Sequence, residues 1–301
     1  MNINETNKSR IPALLKIALE QKDVINSITL QVSDDFDISK FVPYLLNDKW
    51  PYAVDPLLIA DPDSEDDQIS RAYGILSVVV TEPVTGRFLD FGCGEGYVVS
   101  EVAKKAVKSV GYDIKDHQWQ RFPKSDNMIF TLSWDEVVNN GPYDSVLICD
   151  VLDHLKDENE AIQELKKIND VLDSKGKVFI RCHPWCSRHG THLYKSINRA
   201  YLHLIVSEND LNAMGYEYLH TIKIIHPLQT YDKWFSNSGF KIEHWNITSE
   251  NIDPFFYQSA IANLIKRNWK ESPEEDFASG KKFPEWQMKQ QFVDYVLKKK
   301  L

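Results

Sequence analysis

The chain has 301 residues, 43% of them apolar and 12% aromatic, enough for a substantial core, so wholesale disorder is excluded. At roughly 100–200 residues per domain, this length suits one large domain, or one domain with additions. With 35 basic against 44 acidic side chains the net charge is −9. That disfavours loose, sequence-independent binding to nucleic acid, which relies on neutralising phosphates.

No apolar run approaches the ~18 residues of a membrane span. The opening residues mix Asn, Lys, Glu and Arg without an apolar signal segment, so export is not expected. Cys93, Cys149, Cys182 and Cys186 are too few for a disulfide scaffold of this size. A soluble, cytoplasmic, reduced protein is the expectation.

In chain order, residues 11–21 read as a helix through Leu14, Leu15, Ala18 and Leu19, residues 28–32 as a strand, and residues 38–46 as a short helix. Residues 61–67 are an acidic loop. It leads into a helix on which Ile69, Ala72, Tyr73, Leu76, Val79 and Val80 recur at helical spacing. The acidic start suits the partial positive charge of a helix N-terminus. The run RFLDFGCG from Arg87 predicts a buried strand and its exit. Val98, Val99, Val102, Ala103 and Ala106 then make one helical face. Strands are predicted over 107–114, 127–134 and 143–150, a helix over 157–172 through Ile162, Leu165, Ile168 and Leu172, and a fifth strand over 175–182. Strand and helix alternate with short turns, which argues for a parallel sheet covered on both faces.

Beyond it, Leu193, Ile197, Ala200, Tyr201, Leu204 and Ile205 predict a helix, with His192, Lys195, Arg199 and His203 along another face. A short helix ending at Gly239 and a strand over 240–248 follow. Residues 254–269 read as a helix. Trp286, Phe292, Val293, Val296 and Leu297 have near-helical spacing in the tail, and the lysines at 298–300 read as a solvated end.

The glycine cluster LDFGCGEG carries the most chemistry. Glycine tolerates positive φ and lets a backbone approach a bulky ligand. The dinucleotide fingerprint is G-x-G-x-x-G. Here the glycines are Gly92, Gly94 and Gly96, preceded by Asp90. An acid there would repel a pyrophosphate and suit a cationic ligand. In such sheets ligands bind outside the carboxyl ends of the strands.

LDFGCGEG followed by Asp113 in GYDI resembles the class I S-adenosylmethionine-dependent methyltransferases, over residues 68–172 and more loosely to 248. The resemblance implies a Rossmann-like α/β fold: a mostly parallel sheet with helices on both faces. To this we add N- and C-terminal helical additions and a lid after the fifth strand. It implies a cofactor, S-adenosylmethionine, held by Asp90, Phe91, Gly92, Cys93, Gly94, Gly96 and Tyr97. Asp113 and Ile114 would meet the ribose end, Ser133 and Trp134 the adenine edge, and Asp150 and Val151 the sulfur. VLDHL (151–155) resembles the matching stretch of methyltransferases acting on small molecules and some acting on tRNA. No Asn-Pro-Pro-Tyr-like sequence follows the fourth strand and no Pro-Cys pair lies there, so amino-methylation of nucleic acid or glutamine and cytosine C5 chemistry lose weight.

His183, His189, His192, His203, His220 and His226 crowd residues 181–226. Three readings stand. His183 is a general base for an oxygen acceptor, since imidazole titrates near neutrality. Cys182, Cys186, His189 and His192 bind a metal, although the spacing is not a standard zinc pattern. Or the histidines cap helices and bond to backbone. The catalytic candidates are His183, His154 and Asp150; the substrate-binding candidates are His189, His192 and Arg199.

The predicted organisation is an N-terminal addition over 1–63, a methyltransferase domain over 64–250 with a lid or substrate insertion over 181–228, and a C-terminal helical addition over 251–301. The expected reaction is methyl transfer to an oxygen of a small polar or sugar-like metabolite, with no membrane partner. Two rivals stay open: a tRNA or other nucleic-acid methyltransferase, and a non-catalytic subunit that keeps the fold.

Overall fold

Ser64 opens the helix α1 (Glu65–Val78), and its hydroxyl accepts from the backbone N–H of Asp67. Glu65, Asp66 and Asp67 fill the first turn, where unpaired N–H groups favour carboxylates. Ala72 and Ile75 are its buried residues, followed by Val79 and Val80. Ile69, Tyr73 and Leu76, also predicted for this face, are half-buried.

The computed structural model describes residues 52–54, 64–155, 157–182, 187–188, 197–205, 228–246 and 292–300. Contacts divide the chain into two units. One comprises residues 1–62, 183–228 and 248–292; the other comprises 63–182, 229–247 and 293–301.

In the second of these, α1 precedes β1 (Arg87–Phe91), α2 (Tyr97–Ala103), β2 (Lys108–Tyr112), β3 (Met128–Thr131), α3 (Trp134–Asn140), β4 (Tyr143–Cys149), α4 (Glu158–Val171) and β5 (Leu172–Cys182). With β6 (Phe240–Asn246) and β7 (Val293–Lys299) the strands form one sheet in the order β3-β2-β1-β4-β5-β7-β6. The first five are mutually parallel; β7 runs antiparallel to both its neighbours.

Strand side chains alternate between faces, and both faces are covered. Phe88, Leu147 and Phe179 cluster with Ala72, Val98 and Val102 of α1 and α2. On the opposite face Phe91 meets Trp134 of α3, edge-on at 6.1 Å, and Lys167 of α4 lies over the same indole at 5.9 Å. The predicted α/β sheet is therefore present. Among the described residues no helix is long and apolar enough to cross a membrane.

Expectations in two regions are corrected. The tail is not helical over 293–299: it is β7, inserted between β5 and β6. A strand flanked on both sides and covered on both faces needs no polar–apolar alternation, and Val293, Asp294, Tyr295, Val296 and Leu297 are all buried. Nor are the closing lysines a frayed end. Lys298 pairs with Glu243 of β6, and Lys300 donates to the Ser236 hydroxyl at 2.6 Å. The strand over 28–32 and the helices over 11–21, 38–46 and 254–269 lie outside the described residues.

The second correction falls in the other unit. Of the helix expected over 193–205, the structure describes only α5 (Leu202–Ile205) as helical; residues 197–201 bend. The N–H of Tyr201, which an α-helix would direct to Ile197, donates instead to the Arg188 carbonyl at 2.9 Å. Tyr201 takes a left-handed φ of 57°. Asn198 holds Val54 by both its N–H and its carbonyl, at 2.9 and 2.7 Å. Arg199 is therefore off the helix, with its guanidinium 4.9 Å from the Tyr52 ring centroid, and His203 is buried. The pair does not form a solvated cationic stripe. The helix α6 (Leu228–Asn237) gives way at Gly239 to β6, as predicted.

Candidate functional site

Beside the carboxyl ends of β1 and β4, a cleft of about 180 Å³ lies between the glycine loop and α1. Asp90, Gly92, Cys93, Gly94, Gly96 and Tyr97, all candidates from the sequence, line it together with Gln68, Arg71, His117 and Cys149, which sequence reasoning did not place there.

The glycines serve different ends. Gly92 has φ 78°, and a Cβ on it would stand 2.4 Å from Val151 Cγ2. Here the bare backbone lets the loops after β1 and β4 pack. Gly94 has φ 48°, and a Cβ there would meet nothing within 4 Å. Here glycine supplies the left-handed turn and leaves open space.

Asp90 is 3% exposed. Burial first, and the nearby Asp113 carboxylate second, push its pKa up to about 7; Arg71 acts against both. Asp113 follows β2. One of its oxygens accepts from the Gly94 N–H at 2.9 Å, the other from the Lys115 N–H at 3.2 Å. His117 lies between two carboxylates, 3.8 Å from Asp113 Oδ1 and 3.4 Å from Glu95 Oε1.

Asp150 follows β4 with a left-handed φ of 54°. Its Oδ2 faces Arg71 Nη2 at 3.4 Å; its Oδ1 is buried without a hydrogen-bond partner among the described residues. Val151 sits under Gly92. Cys149 and Cys93 border the same cleft, and burial pushes both thiols up, out of the reactive range.

Other predicted residues lie elsewhere. Phe91 is buried against Tyr112 and Trp134. Trp134 also packs edge-on against Tyr112, so its indole belongs to the α3 face of the sheet. Ile114 is 89% exposed. Ser133 is exposed, its N–H on the Thr131 hydroxyl. His154, on a single 3-10 turn (Leu152–His154), has a half-exposed ring 3.7 Å from Asp153 and does not line the cleft. Cys182 is buried at the end of β5, with its thiol directed at the Val293 carbonyl. His183, Cys186, His189 and His192 lie outside the described residues, as do His220 and His226. Among the described residues no group of three or more His, Cys, Asp and Glu is placed to hold a metal.

The missed residues differ in the signal they leave in the sequence. Gln68 and Arg71 are one helical turn apart on α1, and their place on the helix before the glycine strand was a usable signal. His117 sits in a loop without periodicity, which offers none.

Residues 66–245 match a protein family described as a methyltransferase domain. The chain belongs to that family. The methyltransferase-like protein YqeM of Bacillus subtilis (strain 168) is 32% identical over 108 residues, 34% of this chain and 44% of YqeM. The match thus spans less than half of that relative. Solved structures similar to the chain include S-adenosylmethionine-dependent methyltransferases from Archaeoglobus fulgidus and Mesorhizobium loti. The first is 16% identical with TM-score 0.45, covering 78% of this chain and 95% of that one. The second is 16% identical with TM-score 0.44, covering 75% and 95%. The sequence resemblance implies S-adenosylmethionine as the cofactor. The cleft suits it: a buried carboxylate at its floor, held near pKa 7, is relieved by a cation, and open space lies over Gly94.

Proposed function

We propose that the protein transfers a methyl group from S-adenosylmethionine to a nucleophilic oxygen of a small polar or sugar-like metabolite. The observation that carries this reading is the cleft itself, a glycine turn between two acids, Asp90 and Asp113, beside the carboxyl ends of parallel strands.

Bound there, S-adenosylmethionine supplies a methyl group already activated on a positively charged sulfur. The residues bind, orient and exclude water. Asp90 faces positive charge from the cleft floor. The two N–H groups on Asp113 fix its carboxylate plane. A carboxylate offers about four lone-pair sites, so two remain for a vicinal diol. Asp150, held by Arg71, and Val151 border the path of the methyl group. Orientation of this kind contributes up to ~7–11 kcal/mol in favourable cases. The acceptor hydroxyl must also lose its proton. His183, one residue past β5 in the chain, is the base we assign, and a positioned base contributes typically ~10²–10⁴-fold.

Calorimetry tests this directly. The intact protein is expected to bind both the cofactor and its demethylated product, S-adenosylhomocysteine, and Asp113→Ala to weaken both strongly. An intact protein that binds neither would end the proposal.

A further inference from the structure

We infer that Trp119 and Arg121 are positioning residues for cofactor binding: the short turn after β2 holds the glycine loop by its carbonyl oxygens. This rests on the cofactor site proposed above and adds what keeps that site in shape.

A loop built from glycines has few side chains with which to fix itself, and its peptide planes rotate easily. The bonds that hold this one come mostly from outside. The N–H groups of Gly92 and Cys93 both donate to the Tyr112 carbonyl, at 2.8 and 3.0 Å. The Gly94 N–H donates to Asp113. The next two carbonyls are taken by the single 3-10 turn Trp119–Arg121. Trp119 Nε1 donates to the Gly94 oxygen at 2.8 Å, and Arg121 Nη2 donates to the Glu95 oxygen at 2.6 Å. Because a trans peptide is planar with its N–H opposed to its C=O, fixing the Gly94 oxygen also fixes the N–H of Glu95; the Gly96 N–H is held in addition by the Cys93 carbonyl at 2.9 Å.

The turn is itself anchored. The Trp119 ring stacks on Phe130 at 5.3 Å with 14° between planes. Asp116 Oδ1 accepts from the Gln118 and Trp119 N–H groups. The Arg121 guanidinium lies 5.0 Å from the Tyr97 ring centroid and 5.2 Å from that of Phe122, and it also bonds the Glu95 carboxylate. Gly94, Glu95 and Tyr97 all border the cleft. The turn thus reaches the cofactor site through the loop, and its effect is preorganisation: without it, binding must first order the glycine peptides.

The test uses full-length protein and S-adenosylhomocysteine as probe. Trp119→Phe keeps the ring on Phe130 and deletes one donor. Arg121→Met keeps the stem and deletes the other. A neutral hydrogen bond contributes about 0.5–1.5 kcal/mol and one from a charged group about 1.5–3 kcal/mol, so Trp119→Phe should bind about two- to twelve-fold more weakly and Arg121→Met about ten-fold or more, each with its melting temperature little changed. Arg121→Lys, which restores a donor, should recover part of the loss. A purely structural role would do the reverse, lowering the melting temperature and leaving the affinity of the folded protein intact, and would overturn the inference. Should Trp119→Phe fail to fold, Arg121→Met with unchanged affinity overturns it alone. Wild-type protein that fails to bind the probe removes the cofactor site and this inference together; wild-type binding with equal binding by the variants removes this inference only.

Discussion

Gly92 and Val151 share a space that one additional carbon would fill: a Cβ on Gly92 would stand 2.4 Å from Val151 Cγ2. The contact joins the turn after β1 to the turn after β4, the two loops that meet beside the cleft. A left-handed φ of 78° is imposed at the same residue.

Gly92→Ala should therefore lose stability twice, by about 1–2 kcal/mol from the left-handed backbone and about 1–3 kcal/mol from overpacking. Adding Val151→Ala should recover the second part and not the first. Urea denaturation of the single and double variants separates them. Full recovery in the double variant would refute the backbone component.

Asp90 couples stability to pH. Its pKa rises from 3.8 to about 7 in the fold, so between those values the folded protein keeps a proton that the unfolded chain releases. Stability should fall as pH rises through that window, by at most ~1.4 kcal/mol per pH unit. Asp90→Asn should abolish this slope and be the more stable protein above about pH 7. A cation in the cleft favours the ionised form. Cofactor binding near neutrality should thus release a proton and weaken at lower pH. Binding heats compared in buffers of different ionisation enthalpy measure the release; equal heats would mean that Asp90 does not face the bound charge.

Arg181 and Asp294 pair directly across β5 and β7, with Nε and Nη2 on the two carboxylate oxygens at 2.7 and 2.8 Å. Their side chains are only 13% and 3% exposed. Asp294→Ala removes the carboxylate that meets this largely buried guanidinium and should cost about 3–5 kcal/mol. Arg181→Met with Asp294→Leu removes both charges and should cost clearly less. Chemical denaturation of the two proteins ranks them, and a double variant no better than the single would argue against this reading.

The thiols of Cys93, Cys149 and Cys182 are all pushed up by burial. They should resist alkylation in the folded protein near pH 8, where an exposed cysteine reacts readily. Peptide mass spectrometry after labelling, with and without denaturant, checks each one. Rapid native labelling of Cys93 would show that the glycine loop opens more freely than its hydrogen bonds suggest.

The parallel half of the fold was legible because its signals are local. A buried strand, a glycine exit and an apolar helical stripe each declare themselves within ten or so residues, and LDFGCGEG with Asp113 marked the cleft from the chain alone. Helix periodicity misled where a distant partner took the backbone: Tyr201 gave its N–H to Arg188, and the predicted helix through Ile197 did not form there.

What the amino-acid order determined by itself was therefore the alternating strands and helices, the flexible turn and the acids beside it, all set by neighbours along the chain. The tertiary structure alone decided that residues 293–299 form a strand, since both its edges and both its faces are buried by elements remote in sequence. It alone decided that Gln68, Arg71, His117 and Cys149 join the glycine loop around the cleft. Trp119 reaches a carbonyl 25 residues away, Arg71 a carboxylate 79 residues away, and Asp294 a guanidinium 113 residues away. Contacts at such separations leave no periodic trace, because they depend on where folding carries the chain and not on what stands next to what.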